Sequence, residues 1–448
     1  MRTQTAIWSS ETGRIGPRPV SDLPGRNGAI PSTSVGRRSS SRRNTMPSAA
    51  TTQARRLQTP GADVWPRTAR PDDPNKFFMV SADCHANEPK DWVKSRIAPE
   101  FLDRLPRLEV RDGQAFIITE GNRPWKLKTD TTDWGPEDIE RNKTGYTLAS
   151  RLADQERDGI DVEIVFGNKG IHAFGTNDPA FSMAMCQAWN DWAHEEFGAH
   201  QDRILPMAQI PTLDVGAAVK EVQRVAALGF KGITIPVKPE YGPTGMDQRN
   251  YNQAEFEPLW SAIEDVDLPV TIHVSTGRDP RASSGPGGAV INYAVHCCAA
   301  SQEPVANLCA SGVLERHPKL RFATIEAGIG WVSWLLEAMD EAFYKHRMWV
   351  SPELKEPPSY YYRRQGFASF GEDTSGLATG ASHDLIDNFM WANDYPHHEG
   401  TWPHSAAAIE RTMSDLTDDQ RAKVLGLNAA RFWKIDVPAR YRSAAGRS

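Results

Sequence analysis

Between residues 76 and 434 the chain alternates short, continuously apolar runs with longer segments whose apolar residues recur at helical spacing. The short runs place β-branched and aromatic residues on successive positions, the pattern of strands buried on both faces. The first is Phe77-Phe78-Met79-Val80, leading into SADCHANEP; others fall near 162–168, 203–211, 230–237, 269–275, 321–328, 366–373 and 388–394. Helices are expected between them. Asp178 followed by Pro179 is an N-cap with proline at the first helical position, after which Phe181, Met185, Trp189 and Trp192 share a face. Residues 213–228 repeat apolar positions at the same spacing and stop at Gly229, where a glycine can take the left-handed conformation that ends a helix.

Eight strands alternating with helices predict an α/β fold, a distorted (β/α)8 TIM barrel over residues 74–440 followed by a flexible tail, 441–448. Residues 90–150 are too long for one crossover and include LEVRDGQAFIITEG, a β-hairpin turning at Asp112-Gly113. They are expected as an insertion over the barrel mouth. GRDPRASSGPGG, residues 277–288, follows the fifth strand and has the composition of a lid.

Residues 1–73 do not follow the alternation. They are rich in Ser, Pro, Gly, Thr and Arg and are expected to be a disordered leader, because so few apolar residues cannot offset chain entropy. Arg42-Arg43 lacks the apolar segment of an export signal, and an Arg/Ser-rich, acid-poor stretch also has the character of a transit peptide. Met46 is read as the natural start. This stretch holds twelve Arg, no Lys and five acids, a net of +7, which leaves −13 of the whole-chain −6 on the remainder. An acidic body is not a nucleic-acid surface. With 448 residues, 39% of them hydrophobic, and no apolar stretch near the ~18 residues of a membrane span, a cytoplasmic α/β enzyme is expected. The five cysteines have no C-x-x-C spacing and read as free thiols in a reducing compartment.

Chemistry concentrates where the apolar runs end. Residues i and i+2 of a strand project to one side, so Asp83 and His85 can converge on one cation. PVTIHVSTG delivers His273 and NFMWANDYPHH delivers Asp394 in the same way. In a barrel, catalytic groups come from the carboxyl ends of different strands. Asp83, His85, His273 and Asp394 are therefore read as a metal set for one divalent ion, Zn2+ first and Mn2+ second, with His273 and Asp394 also catalytic.

The region 77–434 resembles the amidohydrolase superfamily, in particular the branch that includes aminocarboxymuconate semialdehyde decarboxylase and resorcylate decarboxylase. SADCHANEP, RLADQERDGIDVEIVF, LERHPKLRFATIEAGIGWV, ANDYPHHEGTWP and LGLNAARFW carry the resemblance, in the family's order. It implies the same metal set: the first-strand pair at Asp83 and His85, the fifth-strand histidine at His273 and the last-strand aspartate at Asp394. One position departs. Many relatives have histidine at the end of strand six in an H-x-G-x-G setting, where this chain has Glu326, assigned here a catalytic role. Strand four lacks a bridging lysine at its end, since Lys238 follows only after Val237, so one ion is expected.

The ligand set serves two reactions. In hydrolysis Asp394 takes and returns protons; in the non-oxidative decarboxylation that the resemblance implies, Asp394 protonates the carbon that loses CO2. The substrate is expected to be a small carboxylated aromatic or ring-cleavage compound, met by His397, His398, Trp402 and Arg278. A homodimer is expected from the resemblance. The alternative is a barrel-fold binding or scaffold protein with a degenerate metal site, for which Glu326 in place of histidine is the argument.

Overall fold

The computed structural model describes residues 65–121, 124–127, 136–141, 143–240, 249–277, 283–350 and 353–442. The leader over 1–64, the end of the tail over 443–448, and part of the lid including Arg278 lie outside the described residues. Residues 65–73, placed by sequence in the leader, pack on the body: Ala69 is buried, the Arg67 guanidinium lies over the Phe77 ring, and Arg70 pairs with Glu410 at 3.0 Å. Tyr441, placed in the tail, lies in the helix Ala439–Arg442 and donates to Asp161 at 2.9 Å.

The strands are β1 (Val80–Ala86), β2 (Arg107–Arg111), β3 (Gln114–Ile118), β4 (Trp125–Lys126), β5 (Val162–Gly167), β6 (Ile204–Pro206), β7 (Ala208–Gln209), β8 (Ile233–Ile235), β9 (Val270–His273), β10 (Phe322–Ile325), β11 (Gly366–Phe370) and β12 (Phe389–Trp391). Two parallel sheets result, β1-β5-β6 and β12-β11-β10-β9-β8-β7, with helices between successive strands. The third run read from the sequence is split at Met207. Its N–H donates to Val165 on β5, and the next residue, Ala208, donates to Gly232 beside β8, so one extended segment serves both sheets. At the other end Cys84 and Tyr395 form a parallel bridge. The antiparallel β2-β3-β4 sheet turns at Asp112 and Gly113, both with positive φ, where the hairpin was expected.

Helix ends follow their local chemistry. Asp178 accepts from Ala180 and Phe181 N–H at the start of the helix Pro179–Phe197, and Gly229 has φ +89° just past the helix Val215–Ala227. Trp189 and Trp192 are packed as expected.

All seven residues of β1 are buried, and two separate apolar clusters divide its side chains. Val80 and Ala82 join Ile164, Phe166, Leu205 and Ile325 in a cluster that ends against Phe432 and Trp433; Met79, Cys84 and Ala86 join the cluster shared with the surrounding helices. Val80 and Ala82 are even-numbered and so are Cys84 and Ala86, so the side has changed between them. The cause is a bulge. Ser81 lies opposite Glu163 and Cys84 opposite Val165, so β1 carries one extra residue, which turns Asp83 and His85 to the side that Ala82 occupied.

Beneath β1 the Arg151 guanidinium, wholly buried, donates to Glu163 at 2.6 Å and to the His85 carbonyl at 2.8 Å and lies over the Tyr395 ring. Removing one member of such a pair strands the other's charge. Arg151→Leu is expected to lower stability by about 3–5 kcal/mol. Adding Glu163→Met should recover most of that loss; urea midpoints of both variants check it, and a midpoint for the single variant within error of wild type would refute it.

Candidate metal centre

Four strand ends deliver the cluster. His85 and Asp83 come from the bulged end of β1, His273 is the last residue of β9, Glu326 follows β10 and Asp394 lies just beyond β12. His273 Nε2 lies 3.2 Å from His85 Nε2, 3.3 Å from Asp83 Oδ1 and 3.6 Å from Glu326 Oε2. His85 Nε2 is 3.4 Å from Asp83 Oδ1 and 3.6 Å from Asp394 Oδ1. Donor atoms from Asp83, His85, His273 and Glu326 all fall within 4.8 Å of one another. Asp394 joins a second such group with His85 and His397.

Backbone contacts hold these side chains in place. The His273 Nδ1 atom meets the Val274 carbonyl at 2.6 Å, and His85 Nδ1 faces the Gly167 carbonyl at 3.4 Å. With a proton on each Nδ1, both Nε2 lone pairs face the same point, the arrangement of histidines that ligate through Nε2. Asp394 donates its N–H to the Asp83 carbonyl at 3.1 Å, and His85 donates to the Tyr395 carbonyl at 2.7 Å. Glu326 and Asp394 have φ of 64° and 52°, in the left-handed region. Ser369 Oγ accepts the Glu326 N–H at 3.0 Å, and Asp373 accepts the N–H groups of Ile329 and Gly330, both at 2.8 Å.

The electrostatics of the cluster call for a cation. Burial opposes ionising Asp83, yet His273 and His85 hold its carboxyl well below the usual carboxylate range. Burial, then the neighbouring His397, lowers His85 to about 3, so it is the neutral imidazole that can ligate. Burial alone would lower His273 as well, but the Asp83 and Glu326 carboxylates outweigh it and raise the imidazole. Burial first and Asp394 second push Glu326 up to about 8, and burial with Asp83 and Glu399 pushes Asp394 well above the usual range. Asp83 Oδ1 and Asp394 Oδ1 are inaccessible to solvent and have no hydrogen-bond donor. Opposed lone pairs and orphaned carboxylate oxygens in a dry site are costly unless a positive charge lies among them. Asp83, His85, His273 and Glu326 bring one donor atom each to a common point that could hold a divalent ion, and Asp394, expected in that set, stands beside it with Oδ1 3.6 Å from His85 Nε2.

The other expected residues separate. His397 comes back over Asp394, with Nδ1 2.9 Å from Oδ1 and its ring stacked on His85 at 4.0 Å. His398 does not join the cluster: its side chain is 85% exposed and pairs with Glu399 at 2.7 Å. Trp402 is buried in packing, donating to the Asp154 carbonyl, with its ring against Tyr395 and beneath Arg157. The expectation that Trp402 meets the substrate is therefore corrected; Phe166, 4.8 Å from the His273 ring, is an aromatic beside the donors. Lys238 pairs with Glu303 at 2.8 Å, in keeping with its absence from the ligand set. His296 is half-buried against Ser283. Sequence reasoning missed Glu399, whose signal was its place two residues after a histidine in a turn beyond a strand end. It also missed Tyr293, which lies in the π-helical turn Asn292–Cys297; burial first, then the charges of Glu326, Asp394 and Glu399, hold its phenol at about 12. A cavity of about 1100 Å3 lies at the opposite ends of the strands, lined by Arg67, Lys76, Asp161, Arg203 and Tyr441, and shares no residue with the cluster.

Residues 82–435 match the amidohydrolase family. The chain is 27% identical over 315 residues to gamma-resorcylate decarboxylase of Rhizobium sp. (strain MTP-10005), a match covering 64% of this chain and 87% of the relative. Among solved structures it is similar to an amidohydrolase from Mycobacterium avium subsp. paratuberculosis K-10, with 19% identity, TM-score 0.64 and coverage of 81% and 99%. It is also similar to a dihydroxybenzoic acid decarboxylase from Polaromonas sp. JS666 crystallised with manganese and 2-nitroresorcinol, with 17% identity, TM-score 0.56 and coverage of 81% and 99%. These likenesses show an α/β fold of the TIM-barrel type.

His273→Ala is expected to purify with far less than one divalent ion per chain, measured by elemental analysis without chelator. Stoichiometric ion in that variant would remove His273 from the ligand set.

Proposed function

Because the chain belongs to the amidohydrolase family, we propose that it is a divalent-cation-dependent decarboxylase acting, without oxidation, on a small carboxylated aromatic or ring-cleavage acid. The observation that carries this reading is the convergence of Asp83, His85, His273 and Glu326 from three strand ends on one point, with Asp394 beside it at 3.6 Å from His85. The decarboxylases among the relatives favour loss of CO2 over hydrolysis. Zn2+ is our first assignment for the ion and Mn2+ the second, the latter supported by the manganese in the Polaromonas enzyme. The two sheets are read as arcs of one distorted (β/α)8 barrel, supported by the segment shared at Met207 and by the Cys84–Tyr395 bridge.

When bound, the ion would supply a fixed positive charge that holds a substrate carboxylate and an adjacent oxygen. The chain's own residues do the rest. Asp394, whose carboxyl is raised well above the usual range by burial and by its acidic neighbours in the absence of an ion, faces the site and is the group placed to deliver a proton to the carbon as the bond to CO2 breaks. The carbon gains a hydrogen, CO2 leaves and no oxidant is consumed. Glu326 brings a second carboxyl, pushed up to about 8 by burial and Asp394, and Phe166 and the His397 ring offer flat faces to an aromatic substrate.

A cytoplasmic location is supported by five free cysteines. No described helix is long and apolar enough to cross a membrane. A homodimer is supported by apolar side chains left exposed on two helical stretches, Val290 and Val295 on one and Trp334, Met348 and Trp349 on the other.

Asp394→Asn is expected to keep the fold and its thermal transition while CO2 release falls ~10^2- to 10^4-fold. A panel of aromatic acids assayed for CO2, beside esters, lactones and amides assayed for cleavage, identifies the reaction. Turnover of the esters or amides with no CO2 from any acid would sink the decarboxylase reading.

A further inference from the structure

A buried polar side chain beneath the cluster has no part in the chemistry described above. Met207 lies in the apolar cluster with Val80 and Ala82, whereas Ala208 and Ile210 lie in the one shared with the helices, so Gln209, the last residue of β7, faces the same way as Met207. It stands opposite Thr234 of β8, which stands opposite Thr271 of β9, two residues before His273. This row is therefore one step beneath the His273 donor. Both threonine hydroxyls donate to backbone carbonyls, Thr234 to Thr271 at 3.2 Å and Thr271 to Ile233 at 2.8 Å. Gln209 differs: it is 1% exposed, and its Oε1 is inaccessible to solvent and has no donor. An amide oxygen buried in that way costs free energy and calls for an explanation.

The backbone of Gln209 is anchored. Asn190 accepts its N–H at 2.7 Å and donates to its carbonyl at 3.0 Å, and the Asn190 amide also donates to Glu221 at 2.8 Å. From that fixed base the carboxamide reaches the turn after β5. A side-chain carbon at Gly167 would lie 2.9 Å from Gln209 Nε2, and one at Gly170 would lie 3.2 Å from the same nitrogen, so the amide takes the space that two glycines leave. The fully buried Glu88 holds the same turn, accepting the N–H groups of Lys169 at 3.0 Å and Gly170 at 2.9 Å. What the turn presents to the site is the Gly167 carbonyl, 3.4 Å from His85 Nδ1. That is long for a hydrogen bond, so a small movement of Gly167 makes it or loses it.

We propose that Gln209 is a positioning residue for the cation site: its carboxamide, packed on Gly167, sets where that carbonyl meets His85 Nδ1 and hence how the His85 Nε2 lone pair is aimed. It acts through Gly167 and His85 and not on the substrate. The inference rests on His85 being a ligand of the cation in the function proposed above. An apolar side chain of similar length would fill the same space without an orphaned oxygen, so the amide is a cost to the fold that service to a site explains. Groups that orient metal-ligating histidines typically carry about 10- to 100-fold in metal affinity.

The test compares the full chain with Gln209→Met and Gln209→Ala, each stripped of metal, by calorimetric titration with Mn2+ alone and by thermal unfolding without it. Gln209→Met, similar in length and free of the orphaned oxygen, is expected to unfold at or above the wild-type temperature while binding Mn2+ about tenfold or more weakly. Gln209→Ala, which cannot clash with the turn, is expected to lose at least as much affinity. Mn2+ affinity equal to wild type in either variant would overturn the proposal. So would a metal-free transition of Gln209→Met well below wild type, the result expected of an amide that only packs. A wild-type chain that binds no Mn2+ would instead defeat the cation site itself, and the decarboxylase reading with it.

Discussion

The site depends on the seam between the first and last strands. Ser81 and Asn393, 312 positions apart, meet through a 2.8 Å hydrogen bond from Ser81 Oγ to Asn393 Oδ1, and that oxygen also accepts from Tyr395 N–H and Cys84 Sγ. The Asn393 amide donates to Asp158 at 3.1 Å, and Asp158 in turn holds Ser405. One amide thus ties β1, the segment after β12 and the helix Leu148–Asp158 together. Because side chains alternate along a strand, a slip of one residue at this seam would turn Asp394 away from Asp83 and His85. The Asp394-to-Asp83 and His85-to-Tyr395 backbone bonds keep that register.

What the seam assembles is unfavourable in isolation. It buries carboxylates against one another and holds two non-glycine residues, Glu326 and Asp394, in left-handed backbone, at roughly 1–3 kcal/mol each. The surroundings over-determine the arrangement: Asp373 gathers four donors, the N–H groups of Ile329, Gly330 and Gly376 and the Ser375 hydroxyl, and clamps the loop on which Glu326 stands. Without a cation, a proton on His273 can do part of the balancing, since its Nε2 lies among Asp83, Glu326 and His85. A bound cation takes over that role, so cation binding and fold stability are linked by mass action.

The ends of the strands were legible in the sequence because continuous apolar runs stop abruptly at polar residues, and Asp83, His85, His273, Glu326 and Asp394 all stand at such stops. The bulge in β1 was not legible. SADCHA reads as even alternation, and only the pairing with β5 shows the extra residue that turns Asp83 and His85. Nor could the pattern choose between His397 and His398, because the choice is made by a turn: His397 N–H bonds to the Asp394 carbonyl at 2.9 Å, which folds one ring over the site and points the next to solvent. Trp402 misled because an aromatic near a strand end looks the same in sequence whether it lines a site or packs beneath one. The split at Met207 was hidden for a related reason, since a continuous apolar run does not record which neighbour each residue pairs with.

Glu326 is where the departure from the family pattern has chemical weight. A neutral imidazole at the end of β10 would add no charge; a carboxyl there adds one negative charge unless it keeps its proton. Burial and Asp394 favour the proton, while His273 pulls the other way. The position therefore balances between a hydrogen-bond donor and an anionic ligand, and what is bound beside it decides which. A substrate oxygen approaching the site would meet a donor, whereas a cation would displace the proton and recruit the anion. The Tyr293 phenol, kept protonated by burial and by the same three carboxylates, offers a donor that does not depend on that choice. A carboxyl that can change roles beside a phenol that cannot gives the mouth of this site a different logic from a histidine at the same place.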